Sequence, residues 1–137
     1  ETGPDVYFEI TPTVSIMNVY HLPDFHKEWI DKGLLEPQNV RMNILTYPTE
    51  YRIQIIPPNE RKKFIDKYEE HIKWIDDNFG DGAAKRGFES ILDFLQQENY
   101  ENLIPDFIDR NTPLDKLRGE SLYQVAPELE FFKHYEN

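Results

Sequence analysis

The sequence predicts a parallel α/β fold that passes into a mostly helical second half. Three observations point there. Residues 13–29 read TVSIMNVYHLPDFHKEW, an apolar β-rich run, a polar turn and a helix start, which together form one strand–loop–helix unit. Two further apolar runs that alternate, VRMNIL at 40–45 and YRIQII at 51–56, follow it and read as strands. Beyond Pro57-Pro58 the apolar residues recur at helical spacing.

Each element has a local reason. Residues 6–10 (VYFEI) are rich in β-branched and aromatic side chains, the composition of a strand. Pro12 interrupts them, because proline cannot donate to a sheet ladder. In 13–17, Val14 and Ile16 point one way and Thr13, Ser15 and Met17 the other. Residues 22–32 form a helix, with Pro23 in its first turn, Asp24 at its positive end and Gly33 as its stop. Leu22, Phe25, Trp29 and Ile30 make its apolar stripe. After a turn at 36–39, Val40, Met42 and Ile44 share one strand face. Tyr47-Pro48-Thr49 turns the chain, and Tyr51, Ile53 and Ile55 align on the next strand. The two runs predict a hairpin or two successive sheet strands.

Asn59 is expected to cap a helix reaching Asp77, with Phe64, Ile65, Tyr68, Ile72 and Ile75 inward. The break at 79–82 precedes a helix over 83–97, with Ala84, Phe88, Ile91, Leu92 and Leu95 inward. A short helix is expected at 103–110. Thr112 and Pro113 are expected to open a separate one, with Leu114 and Leu117 inward and Gly119 ending it. Residues 121–132 are apolar enough to dock. The short parallel set at the start looks like the end of a larger sheet.

At 137 residues, with 39% hydrophobic and 14% aromatic residues, the chain is expected to be one domain or fragment with a real core. A net charge of −11 argues against nucleic-acid and anionic-membrane partners. There is no cysteine, so thiolate metal sites, a cysteine nucleophile and a cysteine-bound iron–sulfur cluster are excluded within this chain. Absence of disulfides fits a cytoplasmic location. The chain begins Glu-Thr-Gly-Pro without an initiator Met. It is therefore expected to be processed, cut from something longer, or preceded by a cloning remnant.

No GxGxxG, Walker, HExxH or GxSxG motif occurs. Asn18 stands at a strand's carboxyl end, where ligands are met in parallel folds. Its amide either serves a ribose, carboxylate or adenine edge, or shapes the turn. His21 lies on the same loop and is a second candidate. His26 and His71 sit among charged residues and are read as solvated, as is His134. Acidic pairs such as Glu69-Glu70 and Asp76-Asp77 are read as solvated faces. Asp115 and Arg118 can pair on a helix surface, or Arg118 can hold a phosphate or carboxylate.

Three stretches carry a resemblance: TVSIMNVYHLPDFHKEW, YPTEYRIQIIPPNERKKFIDKYEEHI and LDKLRGESLYQVAPEL. In this order they resemble the later strands, helices and carboxyl-terminal signature of radical S-adenosylmethionine proteins of the twitch type. The resemblance implies the last strand–helix units of a partial (β/α) barrel over 1–58 and a mostly helical carboxyl-terminal cap over 59–137. Ser15 and Asn18, with His21 behind them, would then line an S-adenosylmethionine pocket. Asp115, Arg118 and Gly119 would form a structural lock. The CxxxCxxC loop that holds the iron–sulfur cluster is lacking here. It would belong to an amino-terminal part, and the remainder of the barrel would be the partner. The competing expectation is an acidic protein-interaction module without catalysis, a stand-alone domain.

Overall fold

A computed structural model describes residues 9–97, 100–119 and 121–135. The strand expected at 6–10 lies mostly outside the described residues. Strand β1 is Thr13–Val14 and strand β2 is Asn43–Ile44. They pair in parallel, Thr13 with Asn43 and Val14 with Ile44, and an isolated parallel bridge joins Ile10 to Val40. Helix α1, Leu22–Asp31, lies in the connection between them. Three long helices follow: α2 at Arg61–Phe79, α3 at Ala83–Leu95 and α4 at Ile104–Arg118. The short α5, Leu122–Val125, and a 3-10 segment at Pro127–Tyr135 close the described chain.

The α/β expectation is overturned. The fold is mainly helical, its sheet has two strands, and the described residues contain no barrel unit. The decisive stretch is 51–56. Instead of a strand it makes two 3-10 turns, Thr49–Tyr51 and Ile53–Ile55, separated by an extended Arg52. Alternation implies one buried and one exposed face. Here Ile53, Gln54, Ile55 and Ile56 are all buried. Surrounded on every side, this strap satisfies its backbone through Arg61, described below, rather than through a ladder.

Three other expectations change. Asn59 falls within a 3-10 turn, Pro58–Glu60, and Glu60 occupies the cap position of α2 without a side-chain cap bond. Helix α4 runs through Pro113 instead of restarting there. The Thr112 hydroxyl donates to the Ile108 carbonyl at 2.8 Å within the continuing helix. The register then places Leu114 and Leu117 outward, 37% and 86% exposed.

Helices α2 and α3 pack on each other and supply the centre of the core: Phe64, Tyr68 and Ile75 from one, Phe88, Ile91 and Leu95 from the other. Ile104, Phe107, Leu129 and Phe132 cover it from the carboxyl-terminal half. Burying side chains of this size stabilises the fold by about 1.5–3 kcal/mol each. Two glycines let neighbouring elements approach. A Cβ on Gly82 would stand 2.3 Å from Gln38 Oε1, which accepts the Ala84 N–H at the start of α3. A Cβ on Gly87 would meet Met42 Cγ at 2.9 Å, so α3 lies close against β2.

Candidate functional site

Residues 15–21 form the loop after β1. The Asn18 side chain folds back onto the strand it follows. Its Oδ1 accepts from the Ser15 N–H at 2.9 Å, and its Nδ2 donates to the Thr13 carbonyl at 2.9 Å. Those two groups face away from β2, so the carboxamide fills the place that a neighbouring strand's peptide would take. Asn18 thereby plugs the outer edge of β1. Ser15 Oγ accepts from the Met17 N–H at 3.2 Å. His21 Nε2 meets Glu128 Oε1 at 3.0 Å and ties the start of α1 to the carboxyl-terminal segment. Asn18 and His21, with Pro12, Leu22 and Phe25, line a shallow cavity of about 320 Å3. Ser15 is not among its lining residues. Both polar ends of the Asn18 amide are thus engaged by backbone.

His26 and His71 are buried, 1% and 2% exposed, which corrects their expected surface position. The spacing of charged neighbours suggested solvent, but each ring turns onto the α1–α2 contact. His26 Nε2 lies 3.0 Å from the Pro37 carbonyl, and His26 Nδ1 lies 3.0 Å from His71 Nε2. A carbonyl only accepts, so Nε2 of His26 carries the proton and its Nδ1 accepts from His71. That assignment leaves His71 Nδ1 buried without a partner. Desolvation lowers the pKa of His26. Desolvation, reinforced by the charges of His26 and Lys27, pushes His71 down to about 3. Trp74 stacks on His71 and Phe88 meets its edge. The pair is a neutral internal clasp between two helices.

Asp115 is also fully engaged: Oδ1 faces Asn111 Nδ2 at 3.3 Å and Oδ2 accepts the Leu122 N–H at 3.0 Å. It holds α5 against α4, while Gly119, at φ 70°, makes the left-handed turn between them. The side chains of Arg118 and His134 lie outside the described residues. Among the described residues, no group of three His, Asp or Glu side chains could hold a metal ion. No helix of these residues is long and apolar enough to cross a membrane.

The opposite edge of the sheet is different. The N–H groups of Arg41, Asn43 and Leu45 donate to the carbonyls of Ile10, Pro12 and Val14 at 2.9, 3.0 and 2.9 Å. Strand alternation therefore turns the N–H groups of Met42 and Ile44 outward. No described strand pairs there. Beside this edge runs a groove of about 580 Å3, bounded by residues 40–44, by Glu9 and by the α3 face that carries Ala83, Arg86, Gly87, Ser90 and Phe94. Its floor is partly apolar, through Met42, Ile44 and Phe94, and Arg41 and Arg86 stand at its rim. The alternation of VRMNIL identifies the face of β2 in the sequence. Which edge stays open follows only once 51–56 is known not to pair.

Comparison with protein-family models, with curated proteins and with solved structures finds no match to this chain.

Proposed function

We propose that this chain is a protein-interaction module that accepts an extended segment of a partner along the outer edge of β2. The carrying observation is the asymmetry of the small sheet. The Asn18 amide plugs the outer edge of β1, whereas the outer edge of β2 faces a groove of about 580 Å3. Exposed strand edges template pairing with another chain, and natural folds blunt the edges they do not use. Main-chain bonds to Met42 and Ile44 would supply affinity, and the groove along α3 would supply side-chain selectivity. The S-adenosylmethionine expectation placed Ser15, Asn18 and His21 in a barrel pocket. The described residues form no barrel, so that arrangement is not carried forward.

Amide NMR titration of the chain with a seven-residue peptide alternating Thr and Val tests the proposal. Shifts are expected at 40–44 and along the groove face of α3. Addition of S-adenosylmethionine reads the other expectation. Shifts at 15, 18 and 21 with S-adenosylmethionine, and none at 40–44 with millimolar peptide, would contradict the proposal.

A further inference from the structure

Resting on the strand-edge reading, we infer that the segment taken up at β2 is selected through one face only: bulky aliphatic residues at every second position, turned toward α3, with the alternate positions left to solvent. Three observations on the groove set that pattern. Its apolar members Met42, Ile44 and Phe94 are each half-buried in the chain alone, so an occupant removes further apolar surface from water there. The wall that α3 supplies carries Ala83, Gly87 and Ser90, four and three residues apart on one helical face, with Phe94 four further on. Short side chains on that wall leave the width of the groove to the incoming residue. Neither arginine offers a spare charge: Arg41 is ion-paired with Glu9 at 3.6 Å and Arg86 with Asp81 at 3.8 Å.

The pleat decides which positions of the occupant are read. Val40, Met42 and Ile44 share the face of β2 toward α3, where a Cβ on Gly87 would meet Met42 Cγ at 2.9 Å. Arg41 and Asn43 share the other face, where Asn43 Nδ2 lies 3.5 Å from Thr13 Oγ1 at the exposed surface of the sheet. A strand laid beside β2 continues the alternation. Its side chains level with Met42 and Ile44 enter between the sheet and α3. A charge there would be buried without a counter-charge, because Arg86, the charged residue that α3 gives to the groove, is paired with Asp81. Its side chains level with Arg41 and Asn43 stand in water beside a closed pair, where a charge of either sign gains little. A second copy of this chain is a poor occupant: the apolar face of its own β2 is covered by its own α3, and it brings another net charge of −11.

The test is fluorescence anisotropy with labelled seven-residue peptides, Val alternating with Thr, Glu or Lys, and Ala alternating with Thr, at low and at physiological salt. At physiological salt the three Val peptides are expected to bind within about threefold of one another. The Ala peptide is expected to bind at least about tenfold weaker, because it lies along the same edge without the aliphatic bulk. At low salt the Lys peptide gains most, since the net charge of the chain attracts it from all sides. Ser90→Phe, at an exposed position of the wall, should fill the groove and weaken the Val–Thr peptide at least about tenfold, with the unfolding midpoint of the protein unchanged. Equal binding of the Ala and Val peptides would overturn the one-faced selection while leaving the strand-edge module standing. So would a tenfold preference for the Glu or the Lys peptide over the Val–Thr peptide at physiological salt, which needs a free charge in the groove. Binding of none of them, with amide shifts absent at 40–44, would remove the module as well. Self-association of the chain through β2 that blocks the peptides would make a second copy the occupant and overturn the inference.

Discussion

Arg61→Met is expected to destabilise the chain by about 4 kcal/mol, the cost of leaving buried backbone carbonyls without their donor. Arg61 is only 6% exposed at the start of α2. Its Nε donates to the Ile56 carbonyl at 2.8 Å, and Nη2 donates to the Gln54 carbonyl at 2.7 Å. Nη1 donates to the carbonyls of Leu95 and Gln97 at 3.0 and 2.7 Å. One planar fork thus terminates α3, where orphan carbonyls collect, and holds the 53–56 strap that does not join the sheet. Burial lowers the guanidinium pKa, and the charge of Glu101 opposes that shift. Met fills most of the stem's volume, so the loss falls on the carbonyls. The Gln54 carbonyl keeps the Tyr100 N–H at 3.0 Å; those of Ile56, Leu95 and Gln97 lose the Arg61 donors, at about 1–3 kcal/mol for each one left buried and unpaired. Arg61→Lys retains charge without the fork and should lie between the two. Urea unfolding at neutral pH measures the effect. A loss under 1 kcal/mol for Met would show that solvent satisfies these carbonyls.

The second large effect is acid destabilisation through the His26–His71 clasp. The folded-state pKa of each histidine lies below its ordinary 6.5. Well above pH 6.5 both are neutral in folded and unfolded chains, and no pH dependence arises from them. Below it the unfolded chain takes up protons that the folded chain refuses, so stability falls as pH drops, and for His71 the fall continues toward about pH 3. At pH 4.5 the His71 contribution alone is about 2–3 kcal/mol, from about 1.4 kcal/mol for each tenfold difference in proton affinity. Asp24, Lys27 and Lys67 act on His71 through their charges, and those of the two lysines lower its pKa further. The double variant His26→Leu/His71→Phe keeps the apolar packing around Trp74 and Phe88 and removes the titration. Its unfolding free energy should fall by at least about 2–3 kcal/mol less than that of the parent between pH 7.5 and pH 4.5, the His71 share being the floor. Parallel pH profiles for the two proteins would refute the clasp.

Much of the helical half was legible from periodicity. Phe64, Tyr68 and Ile75 in α2, and Ala84, Phe88, Ile91 and Leu95 in α3, are buried as their spacing predicts. Gly33 and Gly119 stand at positive φ just beyond α1 and α4. The strand content was overread because YRIQII satisfies the alternation test while lying buried on all sides. Periodicity reports a face, and a strap without a solvent face defeats it. Pro113 misled in the opposite way: proline disfavours a helix interior locally, yet α4 continues through it. His26 and His71 were misplaced because charged sequence neighbours on a helix say little about residues one-third of a turn away. For the site, the residues of β2 were visible and the groove was not. Gly87, Arg86 and Phe94 reach it from α3, more than forty positions along the chain.

Amide hydrogen exchange of the chain alone tests the strand-edge account most directly, because each edge carries its own reporters. The account predicts slow exchange at Asn43 and Leu45, paired to β1, and at Ser15, bonded to Asn18. Met42 and Ile44 should exchange within about tenfold of an unstructured chain. Protection of Met42 and Ile44 equal to that of Asn43 and Leu45 would mean that the outer edge of β2 is already covered, and would contradict the account.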